Sequence, residues 1–134
     1  MANDPGKLVP FLTFSGQAAA AMEFYQSLFT DAQLIALTKT EDPAFGNVGS
    51  VLNGQLMLKG QLLMFMDLAP EYSTPFSWAI SLYVNCDDEA EFDQLFNGFS
   101  DGGVVMMGPE PVMNLRKVAW VTDRYGVTWQ LVWE

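Results

Sequence analysis

The sequence predicts an α+β protein built from two copies of one module, in which a strand and a helix are followed by three further strands. Three observations carry this expectation. An apolar stripe at helical spacing occurs once in each half of the chain. Each stripe follows one strand-like run and precedes others rich in β-branched, aromatic and Met residues. A segment with two prolines, Ala69 to Pro75, separates the two series. The repeat is informative because neither half buries its own sheet face and helix alone, whereas two halves together do.

In the first module, Lys7 to Phe14 reads as a strand ended by Ser15-Gly16, with Ser15 as a candidate helix N-cap. Ala18, Ala21, Met22, Tyr25, Leu28 and Phe29 then form one helical stripe. Ala32 to Lys39 is strand-like, and residues 41–46 form a loop by their Pro and Gly. Val48 to Leu58 and Gln61 to Asp67 are the remaining strands. Lys59-Gly60 is the candidate turn between them, while Asn53-Gly54 is either the stronger hairpin signal or a bulge.

The second module repeats the order. Phe76 to Val84 is a strand, and Asp87-Asp88-Glu89 places carboxylates where a helix N-terminus favours negative charge. Phe92, Leu95, Phe96 and Phe99 form the stripe, which ends at Gly102-Gly103. Val104 to Met107, a loop through Gly108-Pro109-Glu110-Pro111, Leu115 to Thr122, a turn at Arg124-Tyr125-Gly126, and Val127 to Trp133 complete it. One domain is expected over residues 1–134, with modules at 7–68 and 76–134 joined by a linker at 69–75.

Composition excludes several classes of function. The formal net charge of −10 repels phosphate backbones, so no nucleic-acid partner is expected. No apolar run approaches the roughly 18–20 residues of a membrane-spanning helix, so no membrane partner is expected either. The amino terminus lacks the basic start and apolar stretch of a signal peptide, and the single Cys86 has no internal disulfide partner; both favour a cytoplasmic location. The chain has no His, so Ser–His and Cys–His nucleophile pairs cannot be assembled. Cys86 lies next to Asp87, Asp88 and Glu89, which disfavour a thiolate, and it is expected to be inert.

The stretch "VPFLTFSGQAAAAMEFYQSLF", taken with "AWVTDRYGVTWQL" near the end, resembles the PhnB-like branch of the vicinal oxygen chelate superfamily. That superfamily comprises glyoxalases, bleomycin-resistance proteins and extradiol dioxygenases, and the branch is often labelled a 3-demethylubiquinone-9 3-methyltransferase domain. The resemblance covers about Leu8 to Glu134. It implies two βαβββ modules of the glyoxalase/bleomycin-resistance type, each a half-barrel sheet with its helix on the convex face. It also implies a divalent metal held in the concavity by His, Glu or Gln from the first and last strand of each module. Counting back from Phe24-Tyr25 puts the first of these positions at Pro10. The second falls on Met66 or Asp67, the third on Ala79 and the fourth on Gln130. Pro10 and Ala79 have no side-chain donor, so no metal and no cofactor are expected, with an all-oxygen site through Asp67 as the alternative. The methyltransferase label is not supported by the glycines, because Ser15-Gly16 and Gly102-Gly103 lack the spacing of a nucleotide-binding turn.

Strand alternation then assigns faces within the implied half-barrel. Pro10, Leu12 and Phe14 are expected to face the concavity, as are Ala79, Ser81, Tyr83, Thr128, Gln130 and Val132, while Trp129, Leu131 and Trp133 turn toward the helices. Met64 and Met66 add an adaptable wall. These side chains either fill the barrel as core or line a pocket for a small, partly apolar molecule, and in the second case Pro10, Leu12, Met64, Met66, Ser81, Tyr83 and Gln130 contact it. Two functions follow. One is a metal-free binding module. The other is an enzyme, with an altered metal site or with Gln130, Tyr83 and Ser81 orienting a substrate. The exposed strand edges of a half-barrel and the load of four Trp, ten Phe and eight Met predict a homodimer.

Overall fold

A computed structural model describes Gly6, residues 8–42 and residues 47–134, and its chain divides into two compact units, Met1–Thr74 and Pro75–Glu134. Lys7, at which the first strand was expected to begin, and the tip of the 41–46 loop lie outside the described residues.

The first unit contains β1 (Phe11–Phe14), α1 (Ala18–Leu28), β2 (Gln33–Lys39), β3 (Val51–Leu58) and β4 (Gln61–Asp67). Its sheet has the order β1-β4-β3-β2, with β1 parallel to β4 and the other pairs antiparallel. Helix α1 buries Ala18, Ala21, Met22 and Tyr25, the stripe expected from its spacing, against β3 and β4. Ser15 does not cap it. The carboxylate of Asp67, at the end of β4, accepts the backbone N–H groups of Gly16 at 2.9 Å and Ala18 at 3.0 Å instead. A side chain distant in sequence thus satisfies donors that a helix N-terminus leaves open, and its charge opposes the positive end of the helix dipole. The β3–β4 turn is Lys59-Gly60, with both residues at positive φ as a two-residue hairpin demands. Gly54 lies inside β3 and is neither turn nor bulge. A Cβ there would come within 2.6 Å of Met22 Sδ, so the glycine lets α1 settle on the sheet.

The second unit contains β5 (Leu82–Asn85), α2 (Glu89–Ser100), β6 (Val104–Val112), β7 (Leu115–Thr122) and β8 (Thr128–Trp133), in the sheet order β5-β8-β7-β6. Two expectations change here. The first strand is shorter than Phe76 to Val84, because Trp78-Ala79 forms a turn, with the Ala79 N–H donating to Ser77 Oγ at 3.1 Å. Strand β6 runs through Gly108-Pro109-Glu110-Pro111 rather than stopping before it. It is the edge strand, where a missing proline N–H is tolerated, and its register against β7 shifts three times. Helix α2 starts with a reciprocal cap: Asp88 accepts from the Glu91 N–H at 2.8 Å, and Glu91 accepts from the Asp87 N–H at 2.6 Å. It buries Phe92, Leu95 and Phe99 against β7 and β8, with Phe99 stacked on Trp129 at 4.6 Å. No helix among the described residues is long and apolar enough to cross a membrane.

Candidate functional site

In the first unit, the register of β1 against β4 decides which side chains face away from α1. Leu12 lies beside Phe65, and Phe11 and Thr13 lie beside Met64 and Met66. Phe65 is fully buried and packs against Tyr25 of α1 at 6.2 Å, and Phe14 stacks on Phe65 at 5.9 Å. Leu12 and Phe14 therefore share the helix face, and alternation carries Pro10 to the same side. This corrects the expected faces of Pro10, Leu12 and Phe14. The opposite face presents Phe11, Thr13, Met64 and Met66. The residues on either side of Pro10, Val9 and Phe11, also lack a side-chain metal donor.

Asp67 faces α1 as well. Besides Gly16 and Ala18, it accepts the Val51 N–H through Oδ2 at 2.8 Å, so both carboxylate oxygens are engaged by backbone donors. An open cleft of about 650 Å³ also lies in this unit, lined by Leu37, Thr38, Lys39, Thr40, Glu41, Asp42 and Leu52. None of the site residues expected from the sequence lines it.

In the second unit, alternation along β5 and β8 puts Tyr83, Thr128, Gln130 and Val132 on the face away from α2 and Trp129 and Leu131 on the helix side, whereas Ala79 and Ser81 lie outside the strand in which they were expected. Trp129 stacks on Phe99, and Lys117 of β7 bonds to Glu89 and Asp93 of α2, which fixes the helix side. Tyr83 pairs with Gln130 across β5 and β8, and Gln130 pairs with Trp120 across β8 and β7. These three side chains form a row on the face opposite α2. The Gln130 Nε2 group donates to Ser81 Oγ at 2.9 Å, so Gln130 and Ser81 are joined as neighbours. Tyr83 is exposed, whereas Thr128 is buried, with its hydroxyl 2.8 Å from that of Thr122. Trp78, on the turn before β5, meets Trp120 edge to face at 5.7 Å. Ala79 belongs to that turn and to no strand.

Sequence reasoning missed Trp78 and Trp120 as members of this row. Trp120 shares a face with Gln130 only through the β7–β8 register, and Trp78 reaches it only because the turn folds back. The one signal available was alternation within Leu115 to Thr122, which puts Trp120 on the face opposite Ala119 and Val121.

A divalent cation does not fit the residues at the four inherited positions. The carboxylate of Asp67 is turned to α1, the Gln130 amide is bonded to Ser81, and the two remaining positions lack donors. Among the described residues, no three Asp, Glu or Cys side chains converge as a metal site would require.

Two four-stranded sheets, each with a β1-β4-β3-β2 type of order and one helix, define the vicinal oxygen chelate fold. The profile of a family described as 3-demethylubiquinone-9 3-methyltransferase matches residues 6–132, and the chain belongs to that PhnB-like family. A PhnB protein from Bacillus cereus is 33% identical over 96% of this chain and 100% of its own, with a TM-score of 0.90. A protein from Pseudomonas aeruginosa is 28% identical over 96% and 98%, with a TM-score of 0.84. The fosfomycin resistance protein FosX from Listeria monocytogenes, 14% identical over 96% and 93% with a TM-score of 0.65, shares the fold. No curated protein is significantly similar in sequence to this chain.

Proposed function

We propose that this protein is a metal-free homodimer that binds a small, partly apolar molecule on the sheet face carrying Tyr83, Gln130 and Trp120. The observation that carries this reading is the bond from Gln130 Nε2 to Ser81 Oγ, set between two aromatic side chains. It holds an amide in one orientation on an apolar surface, an arrangement that favours orienting a ligand over coordinating a cation.

The family's methyltransferase description is not carried over, because the chain has no glycine-rich turn for a nucleotide cofactor. FosX has been crystallised with Mn(II). Among the described residues of this chain, no three Asp, Glu or Cys side chains converge, so no reaction step is routed through a metal here.

Homodimerisation is supported by two of the four sheet edges, β2 and β6. They carry exposed Leu34, Ile35 and Leu37, and Val104 and Val105, respectively. Edge strands with such side chains call for a cover, and a second copy supplies a self-complementary one.

The test is native mass spectrometry of gently purified protein, wild type and Gln130→Ala. A co-purifying small molecule on the wild type, lost in the variant, is expected on a dimer. One equivalent of zinc, nickel or iron retained by the wild type and lost in the variant would overturn the metal-free reading, and a monomer at micromolar concentration would overturn the dimer.

A further inference from the structure

The indole N–H of Trp120 is buried and has no hydrogen-bond partner. A buried donor left unpaired is uncommon and asks for an explanation, often an acceptor belonging to a ligand or to water. The indole of Trp129, buried on the other face of the same sheet, donates to Asp123 at 2.9 Å. The ring of Trp78, 62% exposed, meets Trp120 edge to face at 5.7 Å, on a turn that also holds Ile80 at 75% exposure. That turn is held by an Ala79 N–H bond to Ser77 Oγ at 3.1 Å and a longer Ile80 N–H bond to Ser77 O at 3.4 Å. Few bonds and exposed apolar groups characterise a segment that opens at low cost.

We propose that Trp120 is the specificity-determining donor of the ligand face, and that Trp78 is a displaceable cover that the ligand replaces. The ligand is then a flat, conjugated ring system carrying a carbonyl oxygen. Its ring takes the edge-to-face position of Trp78 against Trp120, and its oxygen accepts the indole N–H. Tyr83, two strands away in the same row, bounds the other side of the ring, with Gln130 beneath. Such a ligand satisfies a donor that the free protein leaves unpaired, whereas a ring without an acceptor does not. This inference rests on the binding reading given above.

The experiment compares coumarin, a flat bicyclic lactone with a carbonyl acceptor, with naphthalene, a flat bicycle of similar size with no acceptor, by equilibrium dialysis against the full chain. Coumarin is expected to bind wild type about tenfold more tightly than naphthalene, the worth of one satisfied hydrogen bond. Trp120→Phe keeps the ring and removes the donor, and is expected to bring the two affinities together. Trp78→Ala is expected to tighten both while keeping their ratio. Nitrogen-15 spectra give a second readout, in which the Trp120 indole resonance moves with coumarin and stays with naphthalene. Equal binding of both probes to wild type, or a preference for coumarin that survives Trp120→Phe, would overturn the assignment of Trp120 and leave the binding reading standing. If neither probe binds wild type, both fail.

Discussion

Asp123, a residue only 3% exposed, accepts the indole N–H of Trp129 at 2.9 Å inside the second unit. The same carboxylate accepts the N–H groups of Tyr125 at 2.8 Å and Val127 at 3.1 Å, so one side chain closes the β7–β8 turn and fixes the ring that stacks on α2. Replacing Asp123 by Ala orphans three donors, and a loss of about 3 kcal/mol in urea unfolding is expected. Asp123→Asn presents an NH₂ to the indole N–H, a donor facing a donor. It is therefore expected to cost less in a Trp129→Phe background than in wild type, and additive costs in that cycle would exclude the contact as the cause.

Asp67 plays a comparable part in the first unit, where it joins β4 to the start of α1 and to Val51. Asp67→Ala is expected to lower stability by about 1–2 kcal/mol, the range of a lost helix cap, and to increase hydrogen exchange in the first turn of α1. Metal content measured in parallel should be the same in both proteins. A variant that exchanges normally but loses a bound cation would show Asp67 to be a ligand.

Much of this architecture was legible locally, and the limits of legibility have identifiable causes. Both helices follow from their stripes, and the order of elements follows from turn chemistry. The faces of β8 follow from alternation anchored by Trp129 and Leu131. What failed were features set by distant partners. Ser15 looked like a cap, but the donors of α1 are met by Asp67, 51 and 49 residues from Gly16 and Ala18. The face of Leu12 was counted from the helix, yet it is set by Phe65 on a neighbouring strand. Prolines at 109 and 111 suggested a loop, but an edge strand accommodates them. In the candidate site, Gln130 and Ser81 were read from their own strands, whereas Trp120 and Trp78 required the sheet register and a folded-back turn.

Gly54 separates α1 from the sheet, and its substitution reads out how tightly they meet. A Cβ would approach Met22 Sδ at 2.6 Å and Phe65 Cβ at 3.2 Å, and both neighbours are buried. Gly54→Ala is expected to destabilise by about 1–3 kcal/mol, the cost of overpacking a closed core. Met22→Ala in the same chain is expected to restore part of that loss, which chemical unfolding would measure. A stabilised Gly54→Ala variant would mean that the helix moves away freely.

Lys117 links β7 to α2, with Nζ 2.8 Å from Glu89 and 2.9 Å from Asp93, and it lies 5.6 Å from the centre of the Phe92 ring. The hydrogen bond to Asp93 leads, followed by that to Glu89, in raising its pKa above the ordinary value of 10.5. A cation whose pKa is higher folded than unfolded binds its proton more tightly in the folded state, so it adds stability wherever both states are protonated. That contribution is complete below pH 10.5 and is lost as pH rises through the raised folded value. Lys117→Met keeps an apolar stem near Phe92 and removes the charge. The urea midpoint of wild type is expected to exceed that of the variant by a constant amount from neutral pH to about 10, and the gap should close at more alkaline pH. Because these groups are partly exposed, molar salt should narrow the gap at neutral pH as well. A gap unaffected by both alkali and salt would mean that Lys117 acts through packing alone.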